Sequence, residues 1–313
     1  MDSRIETKFT GALIGSAVGD ALGAPVEGYS ENNVSSVYGE RWEMIAGRYT
    51  DDTEMMIGVA ESLIAHKGFN GVDMARRFIA NYDVRRGYGP GSEEALKRIR
   101  RGESWEVASK KVFGGAGSYG NGAAMRIAPV GILYYDDDVD TLREIACKSS
   151  HITHAHELGK EGAALQAFAI ALAVRGREKK GMLRELNEVV ETDVYKEKIR
   201  TIDVLLEKGA EATKKEIISE LGNGEAAFES VPTAIYSFLR ADGFKDAVVY
   251  AIRLGGDTDT IGAMTGALSG AYYGEESIPE EWIARLEEGK KGRSYIKRLG
   301  VALYRIKSGL NRT

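Results

Sequence analysis

Residues 9–24 read FTGALIGSAVGDALGA and residues 258–274 read TDTIGAMTGALSGAYYG. Each stretch returns a glycine at every fourth position: Gly11, Gly15 and Gly19 in the first, Gly262, Gly266 and Gly270 in the second. A glycine inside a helix costs roughly 1 kcal/mol relative to alanine, so three in succession need a structural reason. Residues four apart share one helix face, which leaves each helix a groove without side chains. The spacing predicts two core helices packed at close backbone range, each being one candidate partner for the other. Such a pair is rigid and can fix metal ligands at its ends. Membrane dimers use the same spacing, but Asp20, Asp257 and Asp259 lie within or beside these segments and argue against insertion.

Helical spacing dominates elsewhere too. TEMMIGVAESLIAHK, ELGKEGAALQAFAIALAV and KDAVVYAIRL repeat apolar residues at intervals of three and four. The best strand candidate is RIAPVGILYY, which Pro129 and Gly131 weaken. No low-complexity linker or composition break divides residues 1–313, so the expectation is an all-α, compact, single-domain helical bundle. The chain has 313 residues, 43% of them hydrophobic, and a formal net charge of -5. That balance does not fit a binder of nucleic-acid phosphates. Cys147 is the single cysteine, which excludes an internal disulfide framework and a cysteine zinc site. The N-terminus lacks a basic, then apolar, secretion pattern, and no apolar run approaches the ~20 residues that span a bilayer. A cytoplasmic location with neither membrane nor nucleic-acid partners is expected.

Two short stretches carry the chemistry. In RYTDDTEMMIG, Thr50 or Asp51 can cap a helix, with Glu54 completing a capping box. Capping uses one or two side chains and leaves an adjacent carboxylate placed at cost. LGGDTDTIG repeats the arrangement: Gly255-Gly256 permits a tight turn, Asp257 or Thr258 caps the glycine-rich helix, and Asp259 is again a surplus acid. Hard cations such as Mg²⁺, Mn²⁺ and Ca²⁺ prefer carboxylate and hydroxyl oxygens, and two such clusters brought together would repel without one. Glu27, just past the first glycine helix in GAPVE, is by itself a surface glutamate; beside a metal it becomes a candidate ligand or general acid/base.

The loop VFGGAGSYGNGAAMRIAP, with Gly114, Gly115, Gly117, Gly120 and Gly122, can turn backbone N–H groups toward phosphate oxygens, as can RRGYGPGSEE. Neither carries the lysine of a P-loop. In HITHAHE, His151 and His154 are one helical turn apart, but the pattern lacks the spacing and glutamate of a zinc hydrolase.

Together these segments resemble the ADP-ribosylglycohydrolase family, typified by the dinitrogenase-reductase-activating glycohydrolase. The blocks GALIGSAVGDALGAPVE, YTDDTEM, RGYGPG, GSYGNGAAMR, ITHAHELGKEGAALQA, ESVPTAIYSFLRA and LGGDTDTIGAMTGALSGAYYG follow the family's order along nearly the whole chain. GSYGNGAAMR, with Phe113 upstream, is most similar to the branch that removes ADP-ribose from serine and hydrolyses poly-ADP-ribose and O-acetyl-ADP-ribose. The resemblance implies a compact all-α fold and two Mg²⁺ or Mn²⁺ ions in a cleft. It implies Glu27, Thr50, Asp51, Asp52, Asp257, Asp259 and Thr260 as metal ligands, and Glu27, Asp51 and Asp259 as catalytic groups. By the same resemblance Asp51, Gly89, Gly91, Phe113, Gly117, Ser118, Tyr119, Gly120, Asn121, Gly122 and His154 bind the ADP-ribose-containing small molecule or ADP-ribosylated protein, with Phe113 and Tyr119 near the adenine. One departure is Glu225, where relatives often carry an apolar residue.

The reaction implied breaks the C1″ bond of the distal ribose through an oxocarbenium-like transition state. Cations on the 2″- and 3″-hydroxyls would orient the sugar and acidify water. The alternatives are a non-catalytic ADP-ribose-binding or structural member of the family and a dinuclear pyrophosphohydrolase.

Overall fold

A computed structural model describes residues 3–309. Among them the regular structure is helical throughout: seventeen α-helices joined by short connections and six 3-10 turns, with a lone antiparallel bridge between Gly120 and Ala226. The all-α expectation holds. The strand candidate RIAPVGILYY is overturned, because Ala128–Leu133 forms a short helix. Pro129 sits in its first turn, where a missing N–H costs nothing. Every residue of that helix is buried, so its apolar run reflects burial on all sides rather than sheet alternation.

The two glycine helices are Ser3–Gly23 and Thr258–Tyr273. They run antiparallel and in contact along their length, Gly11 against Gly270, Gly15 against Gly266 and Gly19 against Gly262. A Cβ on Gly11 would lie 2.5 Å from the Gly270 carbonyl oxygen, and one on Gly262 would lie 2.6 Å from that of Gly19. Gly23 extends the pairing to Thr258, whose hydroxyl donates to the Gly23 carbonyl at 2.9 Å. Antiparallel docking in this register sets the C-terminal end of the first helix beside the N-terminal end of the second. That single fact brings Glu27 to Asp257 and Asp259.

A third helix, Glu157–Val174, is apolar nearly all round and completes the centre. Its Gln166, the sole glutamine of the chain, donates to the Met264 carbonyl at 2.9 Å from a fully buried position. The helix Asp51–His66 is buried over Asp51–Leu63 and ends on Lys67 in the left-handed region. Long cations from other elements close several helix C-termini, where unpaired carbonyls and the helix dipole favour positive charge. Lys8 donates to the Ala173 and Val174 carbonyls at 2.9 Å each, Lys198 to Glu220 and Leu221 at 2.7 and 2.8 Å, and Lys179 to Phe238 at 2.7 Å.

The expectation from apolar run length needs one correction. The segment Arg4–Val26 is long and apolar enough to cross a membrane, with a mean hydropathy of 1.2. Its apolar window is 89% buried by neighbouring helices, so protein rather than lipid covers it here.

Candidate active site

The cavity at the junction of the glycine helices encloses about 320 Å³. Both acid clusters open into it through Asp51, Asp52, Asp257, Asp259 and Thr260, and Glu27 faces them. Two backbone bonds hold Glu27 in place: Gly28 N–H donates to the Gly256 carbonyl at 2.8 Å and Gly256 N–H to the Tyr29 carbonyl at 2.9 Å. Gly255 and Gly256 have φ of +71° and +76°, the left-handed turn expected of them. One carboxylate oxygen each from Glu27, Asp257 and Asp259 lies within 4.8 Å of the others. At that separation each ionised pair repels by roughly 3 kcal/mol at an effective dielectric of ~20.

The second cluster is tied to the first. Thr260 hydroxyl donates to Asp52 Oδ1 at 3.3 Å, while Asp52 Oδ2 is buried without a hydrogen-bond partner among the described residues. Burial, and then the neighbouring acids, holds the Asp51, Asp52 and Asp259 carboxyls well above the ordinary range. Glu27 is raised as well, by burial first and then by Asp257 and Glu225. An orphaned buried carboxylate oxygen, a converging oxygen set and unrelieved like charge are what a hard divalent cation satisfies. The residues present fit such a group.

The capping readings divide. Thr50 is the N-cap, its hydroxyl accepting from Asp52 N–H at 3.3 Å. Glu54 completes no capping box, since its Oε2 instead accepts from Asp83 N–H at 3.0 Å and Tyr88 hydroxyl at 2.8 Å. Asp257 is the N-cap of its helix by backbone conformation alone, and its Oδ2 accepts from Asn121 Nδ2 at 2.5 Å. Fully buried Asp20 fixes the first cluster from below. It accepts from Thr50 N–H at 2.9 Å, Thr53 N–H at 3.1 Å and Thr53 hydroxyl at 2.6 Å. Burial pushes its carboxyl up to about 6. Sequence reasoning missed that role, since capping partners thirty residues upstream leave no local pattern.

The glycine loops form the other walls. Gly89, Gly91, Phe113, Ser118, Gly120, Asn121, Gly122 and His154 line the cavity, together with the unforeseen Gly87, Tyr88, Ser92 and Met125 and with Glu225. Gly122 is required there, because a Cβ would lie 2.7 Å from His154 Cε1. His154 is held neutral, lowered to about 3 by burial and then by the Arg126 charge. Arg126 itself is fully buried, its guanidinium 4.6 Å over the Phe78 ring and lowered to about 9 by burial. Glu225 reaches the wall because its carbonyl accepts from Asn121 N–H at 2.9 Å across the Gly120–Ala226 bridge.

Three expected residues do not line the cavity. Thr50 is occupied by capping. Gly117 packs on Ala155 and His156 at a φ of +72°. Tyr119 leans on His156 and Phe228, with ring centroids 5.6 and 5.9 Å away. The histidines of HITHAHE separate into three jobs. His151 bonds the Glu106 carbonyl at 2.9 Å, His154 enters the cavity, and His156 caps Glu157–Val174 through Leu158 N–H at 3.2 Å.

A sequence model of the family described as ADP-ribosylglycohydrolase matches residues 1–310. ADP-ribosylhydrolase ARH3 of Homo sapiens is 37% identical over 328 residues, covering 90% of this chain and 89% of its own. The Xenopus tropicalis protein of the same name is 35% identical, covering 94% of this chain and 95% of its own. Among solved structures, one titled ADP-ribosylglycohydrolase-related protein complex superposes with a TM-score of 0.77 at 29% identity, covering 97% of this chain and 99% of that one.

Proposed function

From the premise that this chain belongs to the ADP-ribosylglycohydrolase family, we propose that it is a metal-dependent ADP-ribosylhydrolase. Family membership supports ADP-ribosyl hydrolase activity in general; the metal, the linkage and the residue roles are our reading. The observation that carries it is the convergence of Glu27, Asp257 and Asp259 within 4.8 Å at one end of a cavity that also holds Asp51 and Asp52. Two Mg²⁺ or Mn²⁺ ions held by Glu27, Asp51, Asp52, Asp257, Asp259 and Thr260 would supply charge neutralisation and a sugar-orienting oxygen field. Thr50 serves this set by holding the Asp52 backbone.

The chain's own groups do the rest. Glu27 is half in solvent with a raised carboxyl, suited to giving a proton to the leaving acceptor or taking one from attacking water. Asp51 and Asp259 border the same cavity, Asp259 beside Glu27, and as carboxylates stabilise positive charge developing on the distal ribose. Among the described residues no Lys or Arg lines the cavity, so the unpaired backbone N–H groups of the 87–92 and 118–122 segments, with Ser118 and neutral His154, are left to meet the pyrophosphate. Phe113, exposed on the rim, offers a face to the adenine. The substrates are ADP-ribosyl-protein, poly-ADP-ribose or O-acetyl-ADP-ribose.

Release of ADP-ribose from serine-linked, arginine-linked, polymeric and O-acetyl substrates, each with Mg²⁺ and with EDTA, tests this. Mg²⁺-dependent free ADP-ribose is expected. AMP as the product would make the chain a pyrophosphohydrolase, and ADP-ribose binding without turnover of any substrate would make it a binding member of the family.

A further inference from the structure

One buried cation joins two walls of the cavity without entering it. Arg86 closes the 3-10 turn Val84–Arg86 and directly precedes Gly87, where the cavity lining begins. Its side chain is only 12% exposed. Nη1 donates to the Tyr49 carbonyl and to Glu287 Oε1, each at 2.5 Å, and Nη2 donates to Glu287 Oε2 at 3.2 Å. The guanidinium also lies 3.9 Å over the Tyr49 ring. Glu287, 201 residues away in sequence, accepts from Tyr49 N–H at 3.0 Å and donates its own N–H to the Gly47 carbonyl at 2.7 Å. Both backbone groups of Tyr49 are thereby held by the pair.

Tyr49 immediately precedes Thr50, the N-cap of the helix that carries Asp51 and Asp52. The opening of the acid helix and the start of the 87–92 wall are thus fastened to one guanidinium–carboxylate pair. Arg48 adds a second strap, Nη2 to the Arg85 carbonyl at 3.0 Å, and Glu54 a third through Asp83 N–H and Tyr88 hydroxyl. The register matters because the two walls are neighbours. Gly87 has φ +90°, and a Cβ there would lie 4.0 Å from Asp51 Oδ1. Only a planar fork can serve a carbonyl, a bidentate carboxylate and a ring at once, which an ammonium cannot.

We propose that Arg86 and Glu287 are positioning residues for nucleotide binding, holding the Gly87–Ser92 wall in the register at which it and Asp51 engage one ligand together. This rests on the ADP-ribose reading of the cavity, and neither residue lines it. A matched control lies on the same C-terminal segment. Lys291 Nζ donates to Glu61 Oε1 at 2.6 Å and Asn81 Oδ1 at 2.7 Å, tying that segment to the acid helix without touching the 87–92 wall.

The test compares ADP-ribose binding by calorimetry in Mg²⁺ for wild type, Arg86→Met, Arg86→Lys, Glu287→Gln, the Arg86→Met/Glu287→Gln double variant and Lys291→Met, below each melting point. Hydrogen exchange of the amides of residues 87–92 is followed without ligand. Arg86→Met should weaken binding roughly tenfold, about the worth of one charged hydrogen bond, and speed exchange of that wall. Arg86→Lys should not restore either. The double variant should be no worse than the stronger single one, because the pair acts as a unit. Lys291→Met should lower the melting temperature yet leave affinity within about twofold of wild type, since it removes the ammonium but keeps the carbonyl that accepts from the Tyr49 hydroxyl at 3.2 Å. Should Arg86→Met fail to fold, Glu287→Gln, which keeps the shape, carries the comparison. Wild-type affinity in the Arg86 and Glu287 variants, or an equal loss in Lys291→Met, overturns the proposal. Wild type that binds no ADP-ribose in Mg²⁺ overturns the reading of the cavity instead, and wall exchange then decides the clamp alone.

Discussion

Two identical substitutions should have opposite signs. Gly262→Ala and Gly181→Ala each add one methyl to a helix, and each gains about 1 kcal/mol of intrinsic helix propensity. At Gly181, within Lys179–Val189, a Cβ meets nothing within 4 Å, so the gain is kept. At Gly262 the new atom would lie 2.6 Å from the Gly19 carbonyl oxygen and 3.1 Å from its carbon. Ordinary contact begins near 3.4 Å, an intrusion of about 0.8 Å. Both obstructing atoms are backbone of a buried helix and cannot rotate away. The helices must part, at the upper end of the ~1–3 kcal/mol seen for overpacked cores. Subtracting the helix gain leaves Gly262→Ala destabilised by about 2 kcal/mol and Gly181→Ala stabilised by up to about 1. Urea denaturation in EDTA, read by far-UV circular dichroism, measures the roughly 3 kcal/mol between them through the midpoints. Gly262→Ala as stable as wild type would refute close docking as the reason for the glycines.

Asp51→Asn and Asp259→Asn should each abolish hydrolysis with the helical spectrum intact. In EDTA each should raise stability, since one of the repelling buried acids is gone. Mg²⁺ at a hundredfold its wild-type Kd should stabilise wild type by about 2.7 kcal/mol and these variants far less; equal Mg²⁺ shifts would remove the metal site. Glu27→Gln should lower kcat by ~10²–10⁴-fold, and rescue at high Mg²⁺ would assign Glu27 to ion binding rather than proton transfer. His154, at about 3 folded against an ordinary 6.5, takes up its proton in the unfolded chain first. Its neutral burial therefore contributes stability at neutral pH that is lost as pH falls from about 6.5 toward 3. The buried carboxylates run the other way, so the informative quantity is wild type minus His154→Gln. A difference that does not shrink between pH 7 and 4 would contradict a neutral buried imidazole.

The cavity residues differ in how visible they were. Glu27 was placed by its position just after Pro25 and by resemblance, because nothing local distinguishes it from a surface acid. Its place in the cavity is set by Gly256, which bonds both Gly28 and Tyr29. Glu54 shows the converse. Its position invites a capping box, but a Thr50 N-cap puts it one residue beyond capping reach, and Tyr88 and Asp83 claim it. Thr50, Gly117 and Tyr119 belong to the same segments but lie outside the cavity lining.

Helix content, the side-chain-free grooves at Gly11–Gly19 and Gly262–Gly270, and the two surplus-acid clusters were written in the sequence. Each is a pattern within one or two helical turns, where a fixed 3.6-residue period makes spacing equivalent to direction. Tertiary structure alone decided that the stripes dock antiparallel with Gly19 on Gly262, so that Asp257 and Asp259 meet Glu27 and not the far end of the helix. It alone set Asp20 under Thr50 and Glu287 on Arg86, across 30 and 201 residues. Those pairings depend on how rigid elements fit together as bodies, and a glycine groove specifies a close partner without stating which stretch of the chain will fill it.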